Sequence, residues 1–240
     1  MRVVDLEQGS PEWLKWRLTH RMASWAPAVM GEDPYNTRQN ALEFYAGNAR
    51  PKLQTAAMRR GHEMEPKVRS KLSTLTGLEF TPMVVASGLY GASLDGYCEG
   101  PLGKKFICEI KAPSSENSPY LQAAIAGNAG SSFWQIQHQL YVSKAHACLF
   151  AVLHPVTGEV LTVRVLPDEQ AQKNLLAAWD ALIEEAGSIA SRSISPELKQ
   201  AVDEWEGCTS SNRSCALKRW SCATRSRGYR MVFPTCRSGT

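Results

Sequence analysis

The stretch that decides the fold is Ser93–Pro113, SLDGYCEGPLGKKFICEIKAP. Its second half, Lys105–Lys111, alternates in character, and one set of alternate positions holds Phe106, Cys108 and Ile110. Because successive strand side chains point to opposite faces, Glu109 and Lys111 share the other face with Ile107. Pro113 cannot donate to a sheet ladder and closes the segment. The pattern predicts a strand that carries a carboxylate and an ammonium side by side.

A second strand is predicted just upstream, over Leu89–Leu94, and it leads into Asp95-Gly96. The turn Gly100–Gly103 makes the two strands a hairpin, which brings Asp95 across from Glu109. Two carboxylates are the hard oxygen ligands that Mg²⁺ takes together with water and phosphate. A neighbouring lysine can polarise the attacking water in phosphodiester hydrolysis. The alternative, a solvated Glu-x-Lys ion pair of little consequence, remains open on this stretch alone.

Length and composition predict a soluble protein with one main domain. The chain has 240 residues, of which 43% are hydrophobic and 21% charged, and a chain of this size can bury a sizeable core. No segment approaches the roughly 18 uncharged apolar residues that a membrane span requires. The N-terminus carries no apolar signal-peptide region, so we expect an intracellular, cytoplasmic location and no membrane association.

Positive charge is concentrated at the C-terminus. The net charge is +4, yet no acidic residue follows Glu206, whereas seven basic residues do. Removing those seven from the 27 basic residues leaves 20 against 23 acidic residues, so the bulk charge of the body gives no argument for nucleic-acid binding. We therefore predict a domain over residues 1–206 and a poorly ordered, basic tail over residues 207–240. The tail could bind DNA loosely, have no role, or be read from an altered frame.

The seven cysteines fall into two groups. Cys98, Cys108 and Cys148 lie in strand-like runs and are predicted to be reduced core residues. The other four lie in the tail, and none of them forms a Cys-x-x-Cys pair, which gives a zinc site little support. The five histidines show no close ligand spacing and are interpreted as structural or surface residues.

The N-terminal segment has the pattern of a helix start. Ser10 is the predicted N-cap and Pro11 suits the first helical position. Trp13 and Arg17 are four residues apart and share a face, and Ser24 is predicted to begin a second short helix. A helix N-terminus with a nearby arginine can bind a phosphate. Simple stacking of Arg17 on Trp13 is the alternative.

A further carboxylate, Glu65, falls on the apolar stripe of a predicted helix that ends at Gly77. The stripe consists of Val68, Leu72 and Leu75. Pro66 is tolerated only if the regular helix begins near Glu65. An inward-pointing carboxylate needs a partner, and a metal or a lysine would satisfy it. Alternatively, Glu65 only complements the helix dipole.

The remaining pattern is that of an α/β protein. Strands are predicted over Phe80–Ser87, Leu89–Glu99, Lys105–Lys111, Ala145–Leu153 and Glu159–Val165. Helices are predicted over Arg38–Ala49, Ser131–Val142 and Pro167–Ser191. Gln135 and Gln137 are about 200° apart around a helix axis, so only one of them can face a given site.

Five motifs now stand in a recognisable order: Gln8–Trp13 with Arg17 and Ser24, Gly61-x-x-x-Glu65-Pro66, Leu94–Gly96, Glu109–Pro113, and Gln135–Gln137. Together they resemble the phage lambda exonuclease / YqaJ-type viral recombinase family over roughly Gln8 to Ala190. The resemblance implies a PD-(D/E)xK nuclease fold with a restriction-endonuclease-like core, in which helices flank a central mixed sheet.

The resemblance also implies a metal site. Asp95 and Glu109 would ligate Mg²⁺ together with the backbone carbonyl of Ile110, and Lys111 would orient and activate the attacking water. Glu65 would help to hold a second ion. Mn²⁺ also suits carboxylate ligands and could replace Mg²⁺.

Three further roles follow from the same resemblance. Gln135 matches the helix glutamine that supports the nucleophile, so Gln137 should point away. Arg17 and Ser24 match a pocket that grips the 5′-terminal phosphate. The Asp95–Glu109 loop is longer than in the lambda enzyme, which alters only a hairpin turn, and the tail has no family counterpart.

The activity implied is 5′→3′ digestion of one strand of linear double-stranded DNA. A ring-shaped homotrimer would carry it out and pass the 3′ overhang to a single-strand annealing protein in phage-type recombination, in the bacterial host cytoplasm. Two alternatives stay open: an endonuclease of the same fold, and a DNA-binding relative without catalysis.

Overall fold

A central β-sheet organises the part of the chain that the structure covers. The computed structural model describes residues 1–48 and 55–193, the last four of these by backbone alone. Residues Met1–Ser188 form one compact unit. The predicted boundary after Glu206 and the basic tail lie outside the described residues. No helix in the described ranges is long and apolar enough to cross a membrane.

The sheet is mixed. Its strands, in chain order, are β1 (Arg2–Val3), β2 (Arg21–Met22), β3 (Thr81–Ser87), β4 (Tyr90–Glu99), β5 (Lys105–Lys111), β6 (Ala147–Leu153) and β7 (Val160–Val165). They are arranged in the order β1-β3-β4-β5-β6-β7, with β2 pairing separately to β4. The β5–β6 and β2–β4 pairs are parallel, and the other pairs are antiparallel.

Helices flank the sheet: α1 (Pro11–Leu18), α2 (Ala26–Val29), α3 (Arg38–Tyr45), α4 (Ala56–Thr76), α5 (Pro119–Ile125), α6 (Phe133–Ser143) and α7 (Glu169–Ser193). Short 3-10 turns cover Ala23–Trp25, Pro101–Gly103 and Gly130–Ser132. The α/β prediction is confirmed, and the five longer strands agree with their predicted positions to within one residue at most ends. The sequence patterns missed β1, β2 and α5.

Strand β5 separates two apolar cores, as its alternation predicts. Cys108 and Ile110 pack with Val68 and Leu72 of α4 on one face. Ile107 belongs to a larger core on the opposite face, with members from α5 and α6. Strand β6 is buried on both faces, in agreement with its continuous apolar run. Cys98, Cys108 and Cys148 are buried free thiols, which confirms their prediction as reduced core residues.

The helix that carries Glu65 differs from its prediction in two respects. It begins at Ala56 rather than near Glu65, with the Thr55 hydroxyl accepting from Met58 N at 3.2 Å as N-cap. Pro66 therefore lies inside the helix, on its exposed side, where water can reach the backbone carbonyl that proline leaves without a donor. Leu75 is 67% exposed and is not part of the buried stripe. Gly77 ends the helix in the left-handed conformation, as predicted.

Candidate active site

The Glu109 carboxylate is the centre of a buried polar network. Its side chain is 2% exposed. Oε1 accepts from Lys111 Nζ at 2.5 Å and from Gln135 Nε2 at 2.9 Å, while Oε2 accepts from Gln139 Nε2 at 2.6 Å. The lysine comes from the same strand and both glutamines come from α6. Three donors therefore fix the position and the orientation of one carboxylate.

Asp95 lies beside this network, as the hairpin predicts. The antiparallel β4–β5 register pairs Gly96 with Cys108, which sets Asp95 next to Glu109. Asp95 Oδ2 accepts from Ile110 N at 2.7 Å. Desolvation raises the pKa of the Asp95 carboxyl well above its usual value, and the negative charges of Glu109 and Glu65 raise it further. The arrangement concentrates negative charge at one point.

Glycine is required immediately after Asp95. A Cβ at Gly96 would lie 2.6 Å from Cys108 Sγ and 2.8 Å from Phe80 Cβ, both of them in the packed core. Any side chain would therefore push β4 away from β5 and shift Asp95 relative to Glu109. Gly96 is thus required by the packing of β4 against β5, in addition to the chemical role predicted for the neighbouring Asp95 carboxylate.

Glu65 is half-buried on α4, with its side chain 23% exposed, and its charge reaches Asp95. Its partner is Arg69, four residues on, at 2.9 Å. Arg69 also donates to the backbone carbonyl of Asp95. The side-chain partner of Glu65 is thus an arginine and not the predicted lysine, while the metal partner stays a prediction. The dipole alternative is wrong because Glu65 lies well inside the helix. The sequence analysis missed Arg69, although the i, i+4 spacing was available as a signal.

Lys111 is held as an ammonium. Burial by itself lowers its pKa, but Glu109, with contributions from Tyr120 and Asp95, more than compensates and raises the pKa above its ordinary value. Nζ also lies 3.3 Å from Gln135 Oε1 and 5.2 Å from the centre of the Tyr120 ring. A lysine in this state donates hydrogen bonds and does not abstract a proton at neutral pH.

The glutamines of α6 face different parts of the molecule. Gln135 contacts both Glu109 and Lys111. The Gln137 amide instead contacts the segment before α7, where Nε2 donates to Leu166 O at 2.8 Å. Gln139 is a site residue that the sequence analysis missed, although it lies four residues after Gln135 and therefore on the same helical face.

The donor set fits a hard divalent cation. Asp95 and Glu109 bring two carboxylates together, and the like charge that raises the pKa of Asp95 is the kind that a cation would relieve. Within residues 1–48 and 55–193, no three His, Cys, Asp or Glu side chains are placed to hold a metal ion. A cation bound between two carboxylates can complete its coordination with backbone carbonyls and with water, which Mg²⁺ readily keeps.

The structure brings together Arg17 and Ser24, the two residues of the predicted phosphate pocket. Arg17 Nη2 donates to Ser24 Oγ at 3.0 Å, and its guanidinium lies 4.4 Å from the centre of the Trp13 ring. Burial lowers the pKa of Arg17, but a guanidinium remains charged at any physiological pH. Arg17 thus stacks on Trp13 and donates to Ser24 at the same time. The stacking holds the guanidinium in the position from which it donates the hydrogen bond.

Helix α1 is fastened to β4 close to Asp95. Trp13 Nε1 donates to Ser93 Oγ at 2.9 Å, and Gln8 Nε2 donates to Leu94 O at 3.3 Å. Trp16 packs over Gly91, where a Cβ would lie 2.7 Å from the indole. The arginine–serine pocket and the carboxylate cluster are therefore parts of one rigid assembly.

Comparison with known proteins gives a sequence family and a set of similar folds. The family model described as "YqaJ-like viral recombinase domain" matches residues 12–146, more than half of the chain. No curated protein matches the chain by sequence.

Among solved structures, LHK-Exo in complex with dAMP aligns with a TM-score of 0.67 at 22% identity, covering 80% of this chain and 100% of that one. LHK-Exo described as an alkaline exonuclease from Laribacter hongkongensis gives 0.64 at 22%, covering 81% and 99%. A phage-related exonuclease from Haemophilus somnus 129PT gives 0.56 at 13%, covering 74% and 99%. These likenesses show that the chain shares the fold of the exonucleases in those structures, in which helices flank a central mixed sheet, and the predicted fold class is confirmed.

Proposed function

Because the chain belongs to the YqaJ-like viral recombinase domain family, we propose that it is an exonuclease that digests one strand of linear double-stranded DNA from the 5′ end. The observation that carries the proposal is the Glu109 network: a buried carboxylate on β5, an ammonium two residues on, and Asp95 beside them. The fold of the LHK-Exo structures supports the same conclusion.

Asp95, Glu109 and the Ile110 carbonyl would hold Mg²⁺, with Glu65 contributing to a second ion. When bound, the metal supplies electrostatic stabilisation of the charge that develops on the phosphate. Lys111 Nζ would donate to the attacking water and to the scissile phosphate. Gln135 holds the ammonium and the carboxylate in a fixed relation, since it contacts both. Arg69 relieves part of the crowding of negative charge by pairing with Glu65.

The Arg17–Ser24 pair supports an exonuclease over an endonuclease of the same fold. The guanidinium stacks on Trp13 and points at the Ser24 hydroxyl. In this position it can attract a terminal phosphate by its charge and donate hydrogen bonds to the phosphate oxygens at the same time. The 5′→3′ polarity of the proposal comes from the family resemblance, in which the matching residues hold a 5′-terminal phosphate. It implies a preference for phosphorylated 5′ ends and a 3′ single-stranded product.

The family resemblance extends the proposal to partners. We infer that the active species is a homotrimer around DNA and that the 3′ overhang passes to a single-strand annealing protein during phage-type recombination in the host cytoplasm. Light scattering with and without linear DNA would test the trimer, and co-purification would test the partner.

The test of function is digestion of end-labelled linear duplex, with a 5′-phosphate or a 5′-hydroxyl, in Mg²⁺ or chelator. We expect metal-dependent release of label from the 5′ end and no cutting of a closed circle. Cutting of the circle would favour the endonuclease. Binding to ends without cutting in Mg²⁺ or Mn²⁺ would favour the non-catalytic alternative.

Two variants assign the roles. Lys111→Ala should slow cleavage by about 10²–10³-fold while DNA ends are still bound, whereas Lys105→Ala, on the same strand, should behave as wild type. Arg17→Ala should remove most of the preference for 5′-phosphorylated ends, with Lys15→Ala on the same helix as its control. Unchanged digestion by Lys111→Ala would contradict the catalytic assignment.

A further inference from the structure

An aromatic pair lies next to the catalytic lysine. The rings of Tyr35 and Tyr120 have centroids 6.0 Å apart and planes inclined by 47°. The Tyr120 ring is half-buried, and Lys111 Nζ lies 5.2 Å from its centre. The Tyr35 ring is 65% exposed. A continuous aromatic surface therefore extends from the ammonium at the site of hydrolysis out to solvent.

The loop that carries Tyr35 is held in one conformation by its own hydrogen bonds. Asp33 Oδ1 accepts from Tyr35 N at 2.7 Å and from Asn36 N at 2.9 Å. The loop then enters α3 through a capping box, in which the Thr37 and Asn40 side chains satisfy each other's backbone amides. An exposed ring on a loop fixed in this way is pre-organised for contact with a ligand and loses little conformational entropy on binding.

The position of the loop in the chain is informative. The loop follows Ser24 of the phosphate pocket through the short helix α2, and its tyrosine contacts the ring beside Lys111. Residues from the end-binding segment thus reach the hydrolytic site. A strand whose end is bound at Arg17 and whose phosphate is cut near Lys111 must place its first bases between these two points.

We propose that Tyr35 and Tyr120 form a stacking platform for a base of the strand being cut, a second contact that holds the nucleotide beside the scissile phosphate. The proposal rests on the nuclease function proposed above. The ligand is a nucleobase of any identity, since stacking on an aromatic ring tolerates every base. The platform separates this base from its duplex partner and thereby commits the strand to the site.

The test uses linear duplexes with 2-aminopurine at the first, second or third nucleotide from a phosphorylated 5′ end. Ca²⁺ replaces Mg²⁺, and intact DNA is checked on a gel. A 2-aminopurine drawn out of the duplex brightens, and stacking on an aromatic ring suppresses that brightening. At one of the three positions, wild type and Tyr35→Phe should therefore give lower fluorescence than Tyr35→Ala and Tyr35→Leu. In Mg²⁺, the latter two should need about 5- to 150-fold more DNA for half-maximal rate, corresponding to the loss of one stacked base.

The control is Leu102→Ala, which removes a side chain that is 95% exposed in a separate turn and should change neither readout. Equal fluorescence with wild type and Tyr35→Ala at all three positions, with both proteins folded by their melting curves, would overturn the platform. Failure of wild type itself to digest linear DNA would instead overturn the proposed function, so the two failures are distinguishable.

Discussion

Gln137 and Gln139 are two residues apart on α6, and both are fully buried. Their side-chain amides differ in how completely they are hydrogen-bonded. The Gln137 amide is fully engaged, because Nε2 donates to Leu166 O while Oε1 accepts from Asp168 N at 2.9 Å and from Gln172 at 3.2 Å. Gln139 Nε2 donates to Glu109, but its Oε1 has no hydrogen-bond partner among the residues that the structure describes. One amide joins α6 to the start of α7, and the other serves the carboxylate cluster.

The contrast shows what each side of the helix is built for. Leaving a buried carbonyl oxygen without a donor costs about 1–3 kcal/mol. The amide of Gln139 cannot turn round to avoid this, because its oxygen would then oppose the Glu109 carboxylate. On the side of α6 that faces α7, the structural side, both polar atoms of the Gln137 amide therefore have partners. On the side that faces Glu109, the carboxylate side, the Gln139 amide gives up stability to orient Glu109.

The largest effect that would sharpen this comparison is expected in Gln139→Leu. The substitution removes a donor to Glu109 and also the unpaired oxygen, so activity should fall by about 10- to 100-fold, with a higher metal concentration needed for half-maximal rate. Stability should change by less than about 1 kcal/mol, since the unpaired group is removed as well. Metal titrations of the cleavage rate measure the change in activity, and urea unfolding measures the change in stability. An unchanged cleavage rate would contradict the comparison.

Gln137→Leu is the matched variant, with the opposite expectation. It leaves Leu166 O and Asp168 N without their partners, which should lower the free energy of unfolding by about 1–3 kcal/mol. Asp168 also caps α7 by accepting from Ala171 N at 2.9 Å, so the loss should be visible in the melting temperature. The cleavage rate per folded molecule should equal that of wild type. A large loss of activity without loss of stability would show that the two sides of α6 are not separate.

His138 lies between the two glutamines and gives the structural side a signature in pH. It is buried, accepts from Trp179 Nε1 at 3.2 Å, and burial lowers its pKa from 6.5 to about 3. The folded state thus holds His138 neutral, so its stabilising contribution is present above pH 6.5 and is lost as pH falls towards 3. Wild type should lose about 1 kcal/mol relative to His138→Gln over the first pH unit below 6.5. Parallel pH profiles for the two proteins would contradict this.

Asp95 gives the carboxylate side the opposite signature in pH. Its pKa is raised in the folded protein, so the folded state favours the protonated form and the stabilising contribution is lost as pH rises above 3.8. Asp95→Asn should therefore melt about 2–4 °C higher than wild type at pH 8 in chelator, a shift of about 1 kcal/mol, and the difference should vanish on acidification. Cleavage should be abolished. A lower melting temperature at pH 8 would mean that Asp95 stabilises the fold.

The sequence predicted the structure best where a short repeat of side-chain character determines it. Strand β5 has its predicted bounds, Lys105–Lys111, because alternation every second residue and the following proline leave little choice. The helical period also separates Gln135 from Gln137. Residues Arg69 and Gln139 were missed because many polar residues share a helical face, and only the docking of the helix selects which one meets the carboxylates.

Helix α4 shows the other limit. Pro66 indicated a helix boundary, yet the helix continues through it. Val68 and Leu72 are packed into the core against β5 and β6, and this burial outweighs one missing backbone hydrogen bond on the solvent side. A local preference was overruled by tertiary packing, which no single-sequence pattern contains.

The bonds from Trp13 to Ser93 and from Gln8 to the carbonyl of Leu94 immediately precede Asp95 on β4. The segment with helix α1, which would hold a DNA end, is thus hydrogen-bonded directly to β4, the β-strand that carries Asp95 of the proposed cleavage site. No hinge lies between the two in the part of the chain that the structure describes. Under the proposed function, the distance between the bound 5′ end and the cleavage site would be fixed by the protein, so each released fragment would have the same length whatever bases it contains.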